Sequence, residues 1–153
     1  MPDTTLSIRP AGPQDVPTIA DYNLALCRET EHRELDPAIV LDGVARLVAE
    51  PRRGRYFVAV LSGEIVGQSA HSYEWSDWRN GELWWIQSVY VHPDHRGAGV
   101  FRALFEHIQQ LGESDPDCRG IRLYMERDND VACRTYLNLG LRQAGYEVFE
   151  KLL

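Results

Sequence analysis

The stretch VHPDHRGAGVFRALF, Val91–Phe105, joins a run of residues typical of a β-strand to a run typical of a helix. Arg96, Gly97 and Gly99 lie at the junction. The first N–H groups of a helix lack intrahelical acceptors, and the helix dipole adds partial positive charge at that end. Glycines would let a phosphate or pyrophosphate approach these N–H groups, and Arg96 would add positive charge. The stretch favours an anion-binding site, although an ordinary strand-to-helix turn has the same local features.

Length and composition favour one globular domain, residues 1–153. A chain of 153 residues falls within the usual size of a single domain. Its residues are 44% hydrophobic and 25% charged, and no apolar run approaches the length of a membrane span. The opening residues, MPDTTLSIRP, lack the basic and apolar regions of a secretory signal. We therefore expect a cytoplasmic protein that does not bind a membrane.

The net charge and the cysteine pattern narrow the range of partners. A net charge of −7 disfavours nucleic acid, because phosphate backbones are bound by clustered Lys and Arg, and it suits a cationic small molecule better. The cysteines form no CxxC motif and no cluster with histidine, which disfavours a disulfide framework and a zinc site. We expect no metal, and we expect packing roles for Cys27, Cys118 and Cys133.

Hydrophobic periodicity and turn residues predict strands and helices along the whole chain. Their order, β-α-α-β-β-β-α-β-α-β, predicts an α+β fold in which the glycine turn follows the middle strand of a mixed sheet. The predicted strands are residues 5–11, two strands within 55–74 that turn at Ser62 and Gly63, 79–91, 120–126 and 145–153. The predicted helices are residues 12–30, 37–50, a helix after the glycine turn that ends near Gly112, and 129–140.

Two well-known phosphate-binding motifs do not fit the glycine turn. A P-loop needs a Lys followed by Ser or Thr after its glycines, and no such pair is present here. A dinucleotide fingerprint, GxGxxG, belongs to an early βαβ unit, whereas Gly97 and Gly99 follow a predicted antiparallel meander and precede Arg102. Both nucleotide-binding classes are therefore disfavoured.

Taken together, the predicted segments resemble the GNAT superfamily of N-acetyltransferases. Its first motif is Q/R-x-x-G-x-G/A after a strand that ends V-x-P. The matching residues here are Val91, His92 and Pro93, followed by Arg96, Gly97, Ala98, Gly99 and Val100. Phe101 departs from the motif, because it stands where a glycine or alanine is usual.

A second motif of the superfamily, N-x-x-A-x-x-x-Y-x-x-x-G-F, has its counterpart about thirty residues further on. The matching residues are Asn129, Ala132, Tyr136, Gly140 and Leu141, where Leu141 replaces the usual Phe. The order of elements agrees from Leu6 to the C-terminus. The resemblance therefore implies the GNAT acyl-CoA N-acyltransferase fold, a mixed central sheet with helices on both faces.

The chemistry that this resemblance implies is transfer of the acetyl group of acetyl-CoA to an amine of a small molecule or peptide by direct attack. Tyr136 would protonate the leaving thiolate. Asn129 would bond the pantetheine arm, or would only cap a helix. The backbones of Val89 and Val91 would pair with the arm and polarise the thioester carbonyl. The pyrophosphate of coenzyme A would bind the backbone of Arg96, Gly97, Ala98, Gly99, Val100, Phe101 and Arg102.

The acceptor amine and the general base are less well defined by the sequence. Many relatives place a carboxylate inside the strand before the glycine turn, but residues 83–91 contain none. Gln87 could order a water molecule there. Glu31 lies between the first two predicted helices, and Glu74 lies near the hairpin that often borders the acceptor site in the superfamily. Both would suit a cationic acceptor, although acidic runs are also typical of solvated surfaces.

Two alternatives to an enzyme remain open at this point. One is a GNAT fold that binds coenzyme A as a sensor without turnover, and the other is an interaction module that uses its aromatic hairpin. Tyr136 favours the enzyme, whereas the missing strand carboxylate favours the alternatives. A homodimer is compatible with the sequence.

Overall fold

A computed structural model describes residues 4–153 of the chain. Within them, five strands and four α-helices follow one another in the order β-α-α-β-β-β-α-β-α. The strands are β1 (Ser7–Pro10), β2 (Gly54–Leu61), β3 (Glu64–Ser76), β4 (Gly81–Val91) and β5 (Cys118–Leu123). The helices are α1 (Val16–Glu31), α2 (Pro37–Ala49), α3 (Val100–Ser114) and α4 (Asp130–Asn138).

The strands form one mixed sheet in the order β1-β2-β3-β4-β5. The first four strands are antiparallel neighbours, and β5 runs parallel to β4. The β2–β3 hairpin turns at Ser62 and Gly63, whose φ angles of 51° and 81° are typical of a tight hairpin turn. The predicted α+β class and the predicted hairpin position are confirmed.

Helices cover both faces of the sheet, as expected. On one face, α1 packs against β4 and α2 against β2, and on the other face α3 contacts all five strands. The buried residues of the first face include Val16, Ile19, Ala20, Val44, Tyr56, Val58 and Ala70. Those of the second face include Phe57, Ala59, Trp84, Ile86, Val100, Leu104, Phe105 and Ile108.

Local signals explain the start of α2 and the buried face of α3. Asp36 accepts a hydrogen bond from the N–H of Ala38, 2.9 Å away, and Pro37 occupies the first turn of α2. The apolar residues of α3 recur at the spacing of one helix face, and that face is buried against the sheet. Helix α3 continues to Ser114, slightly past the predicted end at Gly112.

The predicted last strand, residues 145–153, is wrong. After α4 the chain has no regular secondary structure, and Val148 and Phe149 are exposed. The segment touches its own chain through side chains: the Arg122 guanidinium lies over the Tyr146 ring, and Arg127 pairs with Glu147. An alternating apolar pattern indicates that a segment can pair, but a strand also needs a neighbour for its backbone groups.

Two further sequence expectations concern membranes and metals. In the part of the chain that the structure describes, no helix combines the length and the apolar character needed to cross a bilayer. Residues 4–153 also contain no group of three or more metal-binding side chains. Cys27 is buried, and Cys118 and Cys133 are half-buried, which suits the packing role expected for them.

Candidate active site

The glycine turn between β4 and α3 is open to solvent. Gly97 and Gly99 have φ angles of 75° and 82°, a backbone conformation that residues other than glycine rarely adopt. A Cβ added at either position would meet no atom within 4 Å. Backbone conformation and free approach, and not tight packing, therefore account for these two glycines.

The turn presents a continuous row of unbonded backbone donors. The N–H groups of the six residues from Gly97 to Arg102 donate to no acceptor among residues 4–153. The first helical bond at this end runs from the N–H of Ala103 to the carbonyl of Gly99. Unbonded N–H groups at the start of a helix form an anion-binding site. We refer to Gly97–Arg102 as the amide row.

The Arg96 side chain has a different position from the one expected of a phosphate ligand. Its guanidinium donates to the carboxylate of Glu29 at 2.8 Å and to the carbonyl of Val91 at 2.9 Å. It also lies over the ring of Tyr90, whose hydroxyl donates to Glu29. Arg96 therefore ties the end of α1 to the end of β4.

Strand β4 separates from β5 just before the glycine turn. The parallel ladder ends at the pair Ile86 and Leu123, and residues 87–91 have no partner in β5 among the described residues. On its other edge β4 contains a bulge. Gln68 of β3 faces Tyr90 and Ala70 faces Gln87, so β4 advances by three residues where β3 advances by two. The expected separation is therefore present, and Val89 and Val91 lie within it.

Ser88 forms the centre of the bulge. Its φ angle is 54°, an uncommon value for a residue other than glycine. Bulges often lie beside active sites, where they redirect the backbone and end strand pairing. The bulge thus sets the direction of the backbone groups of Val89 next to the open edge of β4.

Tyr136 lies on α4 beside the start of α3. Its ring meets the ring of Phe101 edge to face, with 6.0 Å between the centroids. Residues 4–153 provide no hydrogen-bond partner for its hydroxyl, and burial raises the pKa of the Tyr136 phenol above its ordinary value. The phenol is therefore a neutral donor at pH 7. Phe101, the departure from the motif, packs against the predicted acid.

Asn129 has the capping role that the sequence left open. Its Oδ1 accepts from the N–H of Ala132 at 3.0 Å, which fixes the start of α4. Asn129 also lines a cavity of about 390 Å³ between the end of α1 and the loop before α4. The carboxylates of Glu29, Glu126 and Asp128 make this cavity acidic.

A larger cavity of about 490 Å³ lies between α1, α2 and the sheet. Its floor consists of Asn23, Tyr56, Gln87 and Ser88, so it reaches the bulge in β4. The rest of the lining comes from α1, α2 and the loop between them, and its polar members are Thr30, Glu31 and Arg33. The remaining lining residues are mostly apolar: Leu26, Cys27, Leu35, Val40, Gly43, Val44 and Leu47. We refer to this space as the α1–α2 cavity.

The structure separates the two carboxylates predicted for the acceptor. Glu31 lines the α1–α2 cavity, where it pairs with Arg33 at 3.2 Å. Glu74 does not line it, and pairs instead with Arg122 of β5 at 3.3 Å. Of the two, Glu31 alone lies at the α1–α2 cavity, and the acceptor role of Glu74 stays a prediction. Glu74 faces Leu83 of β4, near the end of that strand that is farther from the bulge.

Sequence reasoning missed the polar floor of the α1–α2 cavity. Asn23 falls in the same helical register as the buried Ile19, Ala20 and Cys27, so a polar residue on the core face of α1 was the available signal. Tyr56 gives no such signal, because an aromatic residue in a strand is ordinary. The four tryptophans do not line this cavity: Trp84 is buried on the opposite face, and Trp75 and Trp78 are exposed.

Comparison with known proteins agrees with this geometry. A model of the acetyltransferase (GNAT) family matches residues 19–141. Streptothricin acetyltransferase of Escherichia coli is 30% identical over 91 residues, which are 60% of this chain and 49% of that protein. The chain thus spans about half the length of that relative.

Solved structures also resemble this chain. A possible acetyltransferase from Clostridium difficile 630 is 40% identical, with a TM-score of 0.91 over 97% of both chains. Ribosomal-protein-alanine N-acetyltransferase from Brucella melitensis biovar Abortus 2308 is 18% identical, with a TM-score of 0.76 over 97% of this chain and 99% of that one, which shows the fold alone. Because the family model covers more than half of its residues, this chain belongs to the GNAT family of acetyltransferases.

Proposed function

We propose that this acetyltransferase moves the acetyl group of acetyl-CoA to an amine of a small molecule or peptide, by direct attack of that amine. Family membership gives acetyl transfer, and the donor, the acceptor and the residue roles are the proposal. The observation that carries it is the amide row, Gly97–Arg102, beside the gap between β4 and β5.

The donor side suits coenzyme A because that molecule carries a diphosphate and an amide-containing arm. The amide row would bind the diphosphate oxygens, and the dipole of α3 would stabilise their charge. The open edge of β4 offers the backbone groups of Val89 and the N–H of Val91 to the arm, as a strand offers them to a neighbour, while the Val91 carbonyl accepts from Arg96. Asn129 keeps its side-chain N–H₂ for the same arm while its oxygen caps α4.

The reaction forms a bond from the amine nitrogen to the thioester carbon and breaks the carbon–sulfur bond. The N–H of Val89 would stabilise the negative charge that develops on the carbonyl oxygen, a contribution of about 3 kcal/mol for a well-placed donor. The hydroxyl of Tyr136 would give its proton to the leaving thiolate, and the proton that the attacking nitrogen loses as the amide forms would restore the phenol, directly or through water. The raised pKa of Tyr136 keeps the hydroxyl proton in place at neutral pH.

The α1–α2 cavity would hold the acceptor. Its floor reaches Gln87 and Ser88 beside the bulge, so an amine bound there would approach the same strand as the thioester. The apolar walls suit an acceptor with a hydrocarbon or aromatic body. The Escherichia coli relative, named for streptothricin, supports a small molecule over a large partner.

The attacking amine must first lose the proton of its ammonium form. We propose that Glu31 attracts the cation at the rim of the cavity and that Gln87 orders the water that accepts the proton. The Gln87 amide oxygen accepts a hydrogen bond from Ser72 at 3.4 Å, which orients the amide. No carboxylate lies within residues 82–91 beyond Glu82 at the start of the strand.

The test is thiol release from acetyl-CoA with a panel of small amines, polyamines, amino acids and peptides. We expect release with at least one acceptor, and mass spectrometry should show its acetyl product. Acetyl-CoA should also raise the melting temperature, because a ligand of the native state stabilises it by mass action. An unchanged melt at millimolar acetyl-CoA would overturn the donor assignment. Stabilisation without release from any acceptor would favour the sensor.

A further inference from the structure

Gln68 is a fully buried polar residue in the middle of β3 that faces α1. Its Nε2 donates to the Asn23 side-chain oxygen at 2.8 Å and to the main-chain carbonyl of Ser88 at 3.2 Å. Asn23 in turn donates from its Nδ2 to the Tyr56 hydroxyl at 2.9 Å. This chain of hydrogen bonds links α1, β2 and β3 to the bulge of β4.

The bond from Gln68 ends at the residue with the unusual backbone. Ser88 has a φ of 54°, and such conformations persist only where the surrounding structure fixes them. Each backbone carbonyl has a direction set by its peptide plane, and that plane also carries the N–H of the next residue. A hydrogen bond to the Ser88 carbonyl therefore fixes the direction of the Val89 N–H.

Stability alone gives little reason for a glutamine at this position. The Gln68 Oε1 is buried and has no hydrogen-bond partner among residues 4–153. A buried polar atom without a partner lowers stability, and an apolar side chain of similar volume would avoid that penalty. The donor on the other atom of the amide is the feature that an apolar residue could not supply.

We propose that Gln68 is a positioning residue for acetyl transfer: it holds the Ser88 bulge so that the Val89 N–H points at the thioester carbonyl oxygen. Gln68 acts through Ser88 and has no exposed surface with which to touch either substrate. Asn23 supports it by accepting the second hydrogen of the same amide. This inference rests on the proposed acetyl-CoA site, and it adds a residue outside both sequence motifs.

The first experiment replaces Gln68 with methionine, which keeps the volume and removes the donor. We expect kcat to fall about tenfold to a hundredfold, as when an oxyanion donor is misplaced, with the Kd of acetyl-CoA within about twofold of wild type. The matched control is Ser69→Ala. Ser69 is the next residue of β3, is equally buried, and its hydroxyl has no partner among the described residues. It should keep wild-type kcat.

A spectroscopic readout separates positioning from general destabilisation. The carbonyl stretch of acetyl-CoA labelled with ¹³C at the thioester should shift to lower frequency on binding to wild type, because a hydrogen bond weakens the C=O bond. We expect the shift to be reduced in Gln68→Met and retained in Ser69→Ala.

A second variant, Gln68→Glu, keeps the shape and can donate only when its carboxyl group is protonated. The ratio of its kcat to that of wild type should therefore rise as the pH is lowered. Gln68→Met with kcat within twofold of wild type and an unchanged carbonyl frequency would overturn the inference. Equal losses in Ser69→Ala would overturn it too. Wild-type protein that does not bind acetyl-CoA would instead overturn the proposed donor site.

Discussion

The two halves of the candidate site are built from different parts of the polypeptide. The proposed donor half is mostly backbone: the amide row of Gly97–Arg102 and the open edge of β4. The acceptor half, the α1–α2 cavity, is made by side chains from four elements. In the proposed reaction coenzyme A presents the same groups whatever the acceptor, so backbone donors suffice for it. An acceptor differs between enzymes, so side chains must define it.

This difference predicts that the halves can be damaged separately. A change in the amide row should alter donor binding alone, a change in the cavity wall should alter acceptor binding alone, and a change in the shared sheet should alter both through stability. Four predictions test this separation, from the largest expected effect to the smallest.

The largest effect concerns His71, in the sheet that both halves share. The side chain is fully buried and stacks on Trp84 with 4.2 Å between centroids, and its ring nitrogens have no partner among residues 4–153. Burial, helped by the charge of Arg55, lowers the pKa of His71 from 6.5 to about 4. Between these values the unfolded chain binds a proton that the folded protein does not, so stability falls as the pH is lowered.

We expect the free energy of unfolding to lose up to about 3 kcal/mol from this group between pH 7 and pH 4. Urea unfolding at pH 7, 5.5 and 4 measures the loss. In His71→Phe the dependence on pH should be shallower by that amount, because the other titrating groups are the same in both proteins. Parallel curves for the two proteins would show that His71 does not titrate in this range.

Tyr136→Phe should impair turnover about a hundredfold, the lower end for a positioned acid, because a thiolate is a fair leaving group even without a proton. The Kd of acetyl-CoA and the melting temperature should change little, since the hydroxyl has no partner among residues 4–153. Steady-state kinetics with a good acceptor measures the loss. The control is Tyr124→Phe on an exposed tyrosine. Turnover within twofold of wild type would leave water as the acid.

Gly99→Asp should weaken acetyl-CoA binding about thirtyfold, because its carboxylate would lie against the diphosphate. Calorimetric titration gives the Kd, and the acceptor KM should not change. Gly63→Asp is a matched control: Gly63 has a φ of 81° and open space around its Cβ position, as Gly99 has with 82°, but it lies in the β2–β3 turn. If both variants bind acetyl-CoA equally well, the phosphates bind elsewhere.

Gly43→Phe should raise the acceptor KM about tenfold while the Kd of acetyl-CoA stays within twofold. Gly43 lines the α1–α2 cavity from α2, and a Cβ there would meet no atom within 4 Å, so the ring would fill the cavity without a clash at its base. Gly43→Ala, which favours the helix by about 1 kcal/mol, should leave the KM unchanged. An unchanged KM in Gly43→Phe would place the acceptor outside this cavity.

Sequence reasoning worked best where function depends on neighbours along the chain. Gly97 and Gly99 lie two residues apart in the turn before α3, and their spacing alone predicts the open turn. The distance from Asn129 correctly predicts that Tyr136 lies on the same helix, and its catalytic role stays a prediction. Sequence reasoning failed for the segment after α4, because a strand there needed a neighbour from another element.

The sequence by itself determined the elements from β1 to α4, their order and the glycine turn, because periodicity, caps and glycine conformations act over a few residues. The tertiary structure alone decided the rest. It directed Arg96 toward Glu29, closed a cavity from four elements, and brought Gln68 to the carbonyl of Ser88. Gln68 and Ser88 are 20 residues apart, and only the register of β3 against β4 determines that they meet.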